Sequence, residues 1–352
     1  MPQPAEKFRG RGVTSNPTNR FVSIASERFE DYDPSEDPAP RTQFIPDATA
    51  SLISYNDSPD IPFTASLNVY RGCEHGCAYC YARPFHEYLG YSPGLDFETK
   101  IIVKYNAPEL LRQELASPKW KPQCLAMSGV TDCYQPAERK LQLTRRVLEA
   151  LLEFRNPVGI VTKNHLVTRD VDLLAQLAKF NAAVVYVSIT TLDAELTRKL
   201  EPRASLPKMR VAAIKTLAAA GVPVGVMLAP MIPGLNDHEM PKIIAAAAEA
   251  GATSAGLIPL RLPFAVKHIF SDWLARHFPD RKEKVLNRIR SLRGGKLNQA
   301  DFGARMRGEG LWAEQLRGMF SVATRKHGLN QRDYELSTAH FRRPGGQQLD
   351  LL

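Results

Sequence analysis

Residues 71–88 read RGCEHGCAYCYARPFHEY and hold three of the chain's five cysteines, Cys73, Cys77 and Cys80. Gaps of three and then two residues on a tight loop point several thiolates at one centre, as an iron–sulfur cluster or a metal ion requires. Three ligands leave one position of a tetrahedral set open. A structural zinc site would close it with a fourth side chain, and His75 and His86 are at hand. An incomplete set instead leaves room for a small molecule. A paired zinc ribbon would need a second close cysteine pair, and Cys124 and Cys133 are too far apart to form one.

The rest of the chain must position that loop. Its 352 residues are 44% hydrophobic, enough for one large domain with extensions or two modest ones. No apolar run is long enough to cross a bilayer, and the opening MPQPAEKFRGRG lacks the apolar stretch of a signal peptide. The expectation is a cytoplasmic protein without a membrane partner, in a compartment where clustered thiols mean metal rather than disulfide. Residues 1–60 are rich in Pro, Asp, Ser, Asn and Arg and read as a flexible leader. Phe21, Val22, Ile24, Phe44 and Ile45 could lay part of it across the folded domain. A core is expected over 61–262 and a helical basic region over 263–352.

From Ser66 onward, short apolar runs alternate with amphipathic stretches. Candidate strands are Ser66–Tyr70, Gln123–Met127, Val158–Thr162, Ala183–Thr190, Val222–Ala229 and Ala255–Leu260. Helices are expected at Pro108–Ala116, Ala137–Phe154, Asp170–Lys179, Pro207–Ala220 and Asp237–Ala250, with Gly221 and Gly251 as stops. Strands alternating with helices imply an α/β fold with parallel pairing through right-handed crossovers. A partial, open barrel and an open doubly wound sheet both satisfy this, and both gather ligands where strands end.

That rule selects the residues just after each strand. The first strand leads into the cysteine loop. The second ends in Ser128-Gly129-Val130-Thr131-Asp132-Cys133, where small residues allow close backbone approach to a ligand. The third ends in Thr162-Lys163-Asn164, with a lysine placed to neutralise a carboxylate, and the fourth in Ser188-Ile189-Thr190-Thr191. A routine strand hydroxyl is the plain alternative for Ser188. Glu201-Pro202-Arg203 is either a surface ion pair worth little or a contact on the catalytic face. Residues 229–236, APMIPGLN, form a rigid turn able to present backbone groups.

The run CEHGCAYCY resembles the signature of the radical S-adenosylmethionine superfamily. The continuation Tyr79-Cys80-Tyr81 is most similar to its spore photoproduct lyase group, often labelled DNA repair photolyase-like. The resemblance spans roughly residues 60–260. It implies a partial (βα)6 TIM-like barrel in which Cys73, Cys77 and Cys80 hold three irons of a 4Fe-4S cluster. The fourth iron would take the amino and carboxylate groups of S-adenosylmethionine. Ser128-Gly129 stands where the family usually has a double glycine against the methionine end, while Tyr79, Lys163 and Ser188 match cofactor-contacting positions. The implied activity is reductive cleavage of S-adenosylmethionine to a 5′-deoxyadenosyl radical that abstracts hydrogen, fed by an electron donor that the sequence leaves unidentified. Tyr79 and Tyr81 match two tyrosines that help the group's lyase return a hydrogen atom. Cys133, on a site-facing loop, is the candidate donor although it lies outside the group's donor motif, whereas Cys124 suits a buried small hydrophobe.

Residues 261–352 carry 18 Lys and Arg against 9 Asp and Glu, which is the whole of the chain's net charge of +9. The stretch DRKEKVLNRIRSLR, 280–293, sets basic residues above Val285, Leu286, Ile289 and Leu292. Segregated charge of this kind points to a nucleic acid partner, with a solvated basic face as the bland alternative. No helix–turn–helix, zinc-finger or RNA-recognition signature accompanies it, and a base used as substrate would have to leave its stack. The competing readings are radical chemistry on a peptide or small metabolite, and a non-catalytic module whose metal serves folding alone.

Overall fold

The computed structural model describes residues 8–22, 40–331 and 335–344. Ten strands occur in them: β1 Gln43–Pro46, β2 Ile53–Tyr55, β3 Ala65–Leu67, β4 Tyr70–Arg71, β5 Lys100–Val103, β6 Leu125–Met127, β7 Val158–Thr162, β8 Ala183–Ser188, β9 Val224–Met231 and β10 Ser254–Pro259. The main sheet runs β10-β9-β8-β7-β6-β3-β2. Its six strands from β3 to β10 are parallel and lie side by side in chain order, and β2 adds antiparallel to the edge at β3. A doubly wound sheet would reverse its strand order at a switch point. This one never reverses, so the six βα units form the partial barrel and the doubly wound alternative falls. Among the described residues β10 pairs with β9 alone, which leaves the barrel open between its edge strands β10 and β2.

The apolar residues of β8 and its neighbours, with Val147, Leu148, Leu151 and Phe154, make the core. The expected helix over Ala137–Phe154 is two helices, Glu138–Leu141 and Leu143–Phe154, broken at Gln142 with φ 50°. The break has a local cause. The buried Glu138 carboxylate accepts the Thr144 N–H at 3.1 Å and the Tyr70 hydroxyl, competing with the helical ladder for Thr144. The first expected strand also divides. β3 stops at Leu67, and Tyr70–Arg71 turns away to pair with β5 in a separate sheet of order β1-β5-β4.

Much of the expected leader lies against the core. Phe44 and Ile45 are in β1, and Phe21 packs its ring 4.8 Å from that of Tyr88, whereas Ile24 falls outside the described residues, as do 1–7 and 23–39. Arg11 donates to the Glu98 carbonyl at 2.8 Å and the Pro40 carbonyl at 2.9 Å, and the Gly12 N–H reaches the Glu98 carboxylate at 3.0 Å. A Cβ on Gly12 would stand 1.6 Å from the Gly76 carbonyl oxygen, so this strap presses directly on the cysteine loop.

The C-terminal region is helical, with its longer helices at Val266–His277, Lys282–Leu292 and Gly310–Lys326. Val285, Leu286, Ile289 and Leu292 are buried as their spacing predicts. The region lies against the barrel's open side: Arg305 grips Asp60 and donates to Ser58 at 2.5 Å. Among the described residues no helix is long and apolar enough to cross a membrane.

Candidate active site

The cysteine loop leaves β4 and is held from every side. Cys73 N–H donates to the Phe97 carbonyl at 2.9 Å, and Ala78 N–H to the Leu200 carbonyl at 3.1 Å. The fully buried Arg83 donates twice to the Cys77 carbonyl, at 3.1 and 2.9 Å, and to Glu98 at 2.5 Å. Gln135 adds a clasp, donating to the Gly72 carbonyl at 3.1 Å and accepting the Glu74 N–H at 2.9 Å. Arg83, Glu98 and Gln135 are residues that sequence reasoning passed over. Their one signal was proximity in the chain to the cysteines or to Cys133.

The three thiols are free of disulfides. Cys77 belongs to one apolar group with Tyr79, Leu200 and Leu260, Cys73 to another with Ala82 and Phe97, and Cys80 packs against both. Burial pushes all three thiols above their usual range, and Cys73 feels Asp132 and then its two sister cysteines. Bound iron would take them as thiolates.

The alternative of one zinc ion closed by a histidine does not fit. His75 is committed elsewhere, its Nδ1 3.4 Å from Asp132 and its Nε2 3.1 Å from the Asn164 amide nitrogen. If the amide donates to Nε2, then Nδ1 carries the proton toward Asp132, a neutral imidazole with both nitrogens used. His86 packs edge-on against Phe97 with Nε2 unpartnered. Among the described residues no three His, Cys, Asp or Glu side chains converge on one ion. A cluster asks for something else, each thiol on a different iron, and the loop offers three free thiols.

The strand ends after β6, β7, β8 and β9 complete the site. Ser128 has φ 79° and its hydroxyl accepts the Cys133 N–H at 3.0 Å. Next to it a Cβ on Gly129 would meet only Ser66, at 4.0 Å, so the expected close-approach position faces open space. Tyr81 donates its hydroxyl to the Gly129 carbonyl, which ties the cysteine loop to the end of β6. Asp132 binds the end of β7, accepting from Thr162 at 2.8 Å and from Lys163 N–H at 2.7 Å.

Lys163 and Ser188 are brought together. The ammonium donates to the Ser188 hydroxyl at 2.6 Å and to the Ala229 carbonyl at 2.8 Å, and stands 5.8 Å from the centre of the Tyr79 ring. Glu201 lies 3.8 Å from the same ammonium. Far from being a surface pair, Glu201 is 1% exposed and binds Arg210, the Tyr79 hydroxyl and the Thr190 hydroxyl, the last at 2.6 Å. Burial acts to raise its pKa, but Arg210 and then Lys163, with the two hydroxyls, overcome that and hold it at about 2. Arg203 instead pairs with Glu74 at 3.0 Å. The turn after β9 is closed by Asn236, which donates to the Thr190 carbonyl at 2.8 Å and accepts the Ile232 N–H at 2.6 Å.

Two expected residues lie apart in character. Tyr79 is buried, whereas Tyr81 is 43% exposed. Cys133, 2% exposed, packs in the main core with Tyr134 and Leu143 rather than in the groups around the three loop cysteines. Burial and then Asp132 keep its thiol well above the usual range.

Known proteins give this geometry a context. An uncharacterised protein of Mycobacterium bovis is 38% identical over 234 residues, covering 66% of this chain and 68% of its own. One of Methanocaldococcus jannaschii is 33% identical over 173 residues, 49% of this chain and 62% of its own. Among solved structures, a spore photoproduct lyase mutant with bound AdoMet and dinucleoside spore photoproduct shares the fold at a TM-score of 0.58 and 17% identity, over 81% of this chain and 80% of that one. The family model described as the Radical SAM superfamily matches residues 67–247. With that match over half its length and three free thiols gathered on the loop beyond β4, the chain belongs to the radical SAM superfamily, whose cofactors are a 4Fe-4S cluster and S-adenosylmethionine.

Proposed function

We propose that this enzyme acts on a nucleic acid in the manner of spore photoproduct lyase, abstracting hydrogen from a base or sugar as a step in DNA repair. When bound, the cluster and S-adenosylmethionine supply a 5′-deoxyadenosyl radical. Cys73, Cys77 and Cys80 hold the iron in this reading. Ser128, Gly129, Lys163, Ser188 and Tyr79 form the wall against the methionine end, with the Lys163 ammonium meeting its carboxylate. The observation that carries the reading is the joint placement of Lys163, Ser188 and the loop cysteines at the carboxyl ends of the barrel strands.

Glu201 fixes the Tyr79 hydroxyl, so Tyr79 serves position, while the more exposed Tyr81 faces the substrate side. Cys133 is the proposed hydrogen-atom donor, and a thiol kept protonated has a hydrogen to give. The electron donor has no assigned surface.

The test is anaerobic reconstitution with iron and sulfide, chemical reduction, and incubation of the full chain with damaged and undamaged DNA and RNA. Deuterium carried from labelled substrate into deoxyadenosine would identify the carbon attacked. Absence of deoxyadenosine from the loaded, reduced protein overturns the enzyme reading, and Cys77→Ala should abolish both iron retention and product. Radical modification of a peptide or small metabolite remains the second reading. It is favoured by the engagement of Arg342 and Arg343 with internal carbonyls, which narrows the basic surface.

A further inference from the structure

The last barrel strand leads to a guanidinium that no carboxylate answers among the described residues. Arg261 stands two residues beyond β10. Its Nη1 lies 3.0 Å from the Met306 sulfur, and its Nε is buried with no hydrogen-bond partner. Among the described residues it makes no ion pair. The acid in its field, Asp60, is already taken by Arg305 and by the Gly303 N–H at 2.6 Å. Behind it Arg293 is 1% exposed, its two terminal nitrogens held by carbonyls and its Nε also without a partner, so three guanidiniums share this corner with one neighbouring Asp and the more distant Glu309.

Desolvating a guanidinium without an anion is costly, and a buried unpaired N–H adds to the cost. The corner is therefore short of acceptors. Its location says what kind. Arg261 stands 5.5 Å from the centre of the ring of Tyr81, the residue after Cys80, so the contact joins the segment after β10 to the cysteine loop. Phe302, 62% exposed, lies beneath the Arg305 guanidinium at 4.5 Å. Guanidiniums alternating with exposed rings suit a nucleic acid strand, phosphates on the former and unpaired bases on the latter.

We propose that Arg261 binds a phosphodiester of the substrate strand beside the cysteine loop, with Tyr81 and Phe302 stacking on the adjoining bases. This rests on the nucleic-acid reading above. It makes the surface where the segment after β10 meets the cysteine loop the entry for substrate.

The experiment is anisotropy of a labelled single-stranded oligonucleotide with the anaerobically reconstituted full chain. Arg261→Gln should weaken binding about tenfold and lower the slope of log affinity against log salt by about one. Arg261→Lys, with the charge but not the fork, should recover part of it. Thermal denaturation of the variants confirms that they fold. Unchanged affinity and slope in Arg261→Gln overturn the assignment while leaving the nucleic-acid reading intact. Wild-type protein that cleaves S-adenosylmethionine yet binds no oligonucleotide overturns both. Loss of S-adenosylmethionine affinity in Arg261→Gln would move the residue to the cofactor, and equal competition by polyglutamate would rule out a phosphodiester site.

Discussion

The core around the barrel and the cysteine loop and the C-terminal extension both bury arginine, and they satisfy it differently. Inside, Arg210 meets Glu201 and Arg83 meets Glu98, each pair fully enclosed. In the extension Arg293 donates to the carbonyls of Ala304, Arg305, Pro259 and Leu260 at 2.7–3.2 Å. Arg342 donates to the Glu153 carbonyl at 3.0 Å and Arg343 to that of Trp120 at 2.9 Å. A carboxylate cancels the charge it binds, whereas a carbonyl orients the guanidinium and leaves its charge to act at a distance. The interior pairs therefore fix geometry without projecting a field. The extension keeps its surplus of nine even though several of its arginines are structural.

The comparison can be broken by removing one partner on each side. Glu201→Gln leaves Arg210 buried without its anion and should cost about 3–5 kcal/mol in denaturant unfolding. The depressed folded pKa of Glu201, about 2, means that its stabilising contribution is complete above its unfolded value and fades as pH falls through about 2. Wild type and Glu201→Gln should thus converge as pH is lowered from about 5 to about 2, and a gap that stays constant would refute the pairing. Arg293→Met strands only neutral carbonyls and should cost less, about 1–3 kcal/mol, with no such convergence.

Gly12→Ala tests the strap. Its Cβ would collide with the Gly76 carbonyl, a backbone atom with little freedom, so a loss of about 1–3 kcal/mol is expected. Faster alkylation of Cys73 and Cys77 in the iron-free protein would accompany it. The smallest effect is assigned to Arg342→Ala with Arg343→Ala: about 1 kcal/mol per lost hydrogen bond in unfolding and a salt slope less steep by no more than about one.

How much of this was legible in the sequence depended on range. The six parallel strands could be read because each is a short apolar run between helical periods, and Val158–Thr162 begins and ends where its pattern does. β1 and β5 could not, since Gln43–Pro46 lies in a Pro-rich, polar stretch and gains its pairing from residues 57 positions onward. Lys163 and Ser188 were found by their places at strand ends. The Glu201–Arg210 pair was not, because a charged residue near a proline reads the same on a surface loop as in a buried network, and only burial separates them. In the tail the helical face was clear from its spacing. What no spacing reveals is that Arg293 turns inward to carbonyls and that the exposed Arg343 donates to the Trp120 carbonyl.

The lysine at the end of β7 has three hydrogens, and two are already spoken for by the Ser188 hydroxyl and the Ala229 carbonyl. A single N–H is left for any newcomer. Whatever carboxylate docks there is greeted by one prong rather than a fork, so its angle must be set by contacts elsewhere in the cavity while the ammonium contributes mainly its charge.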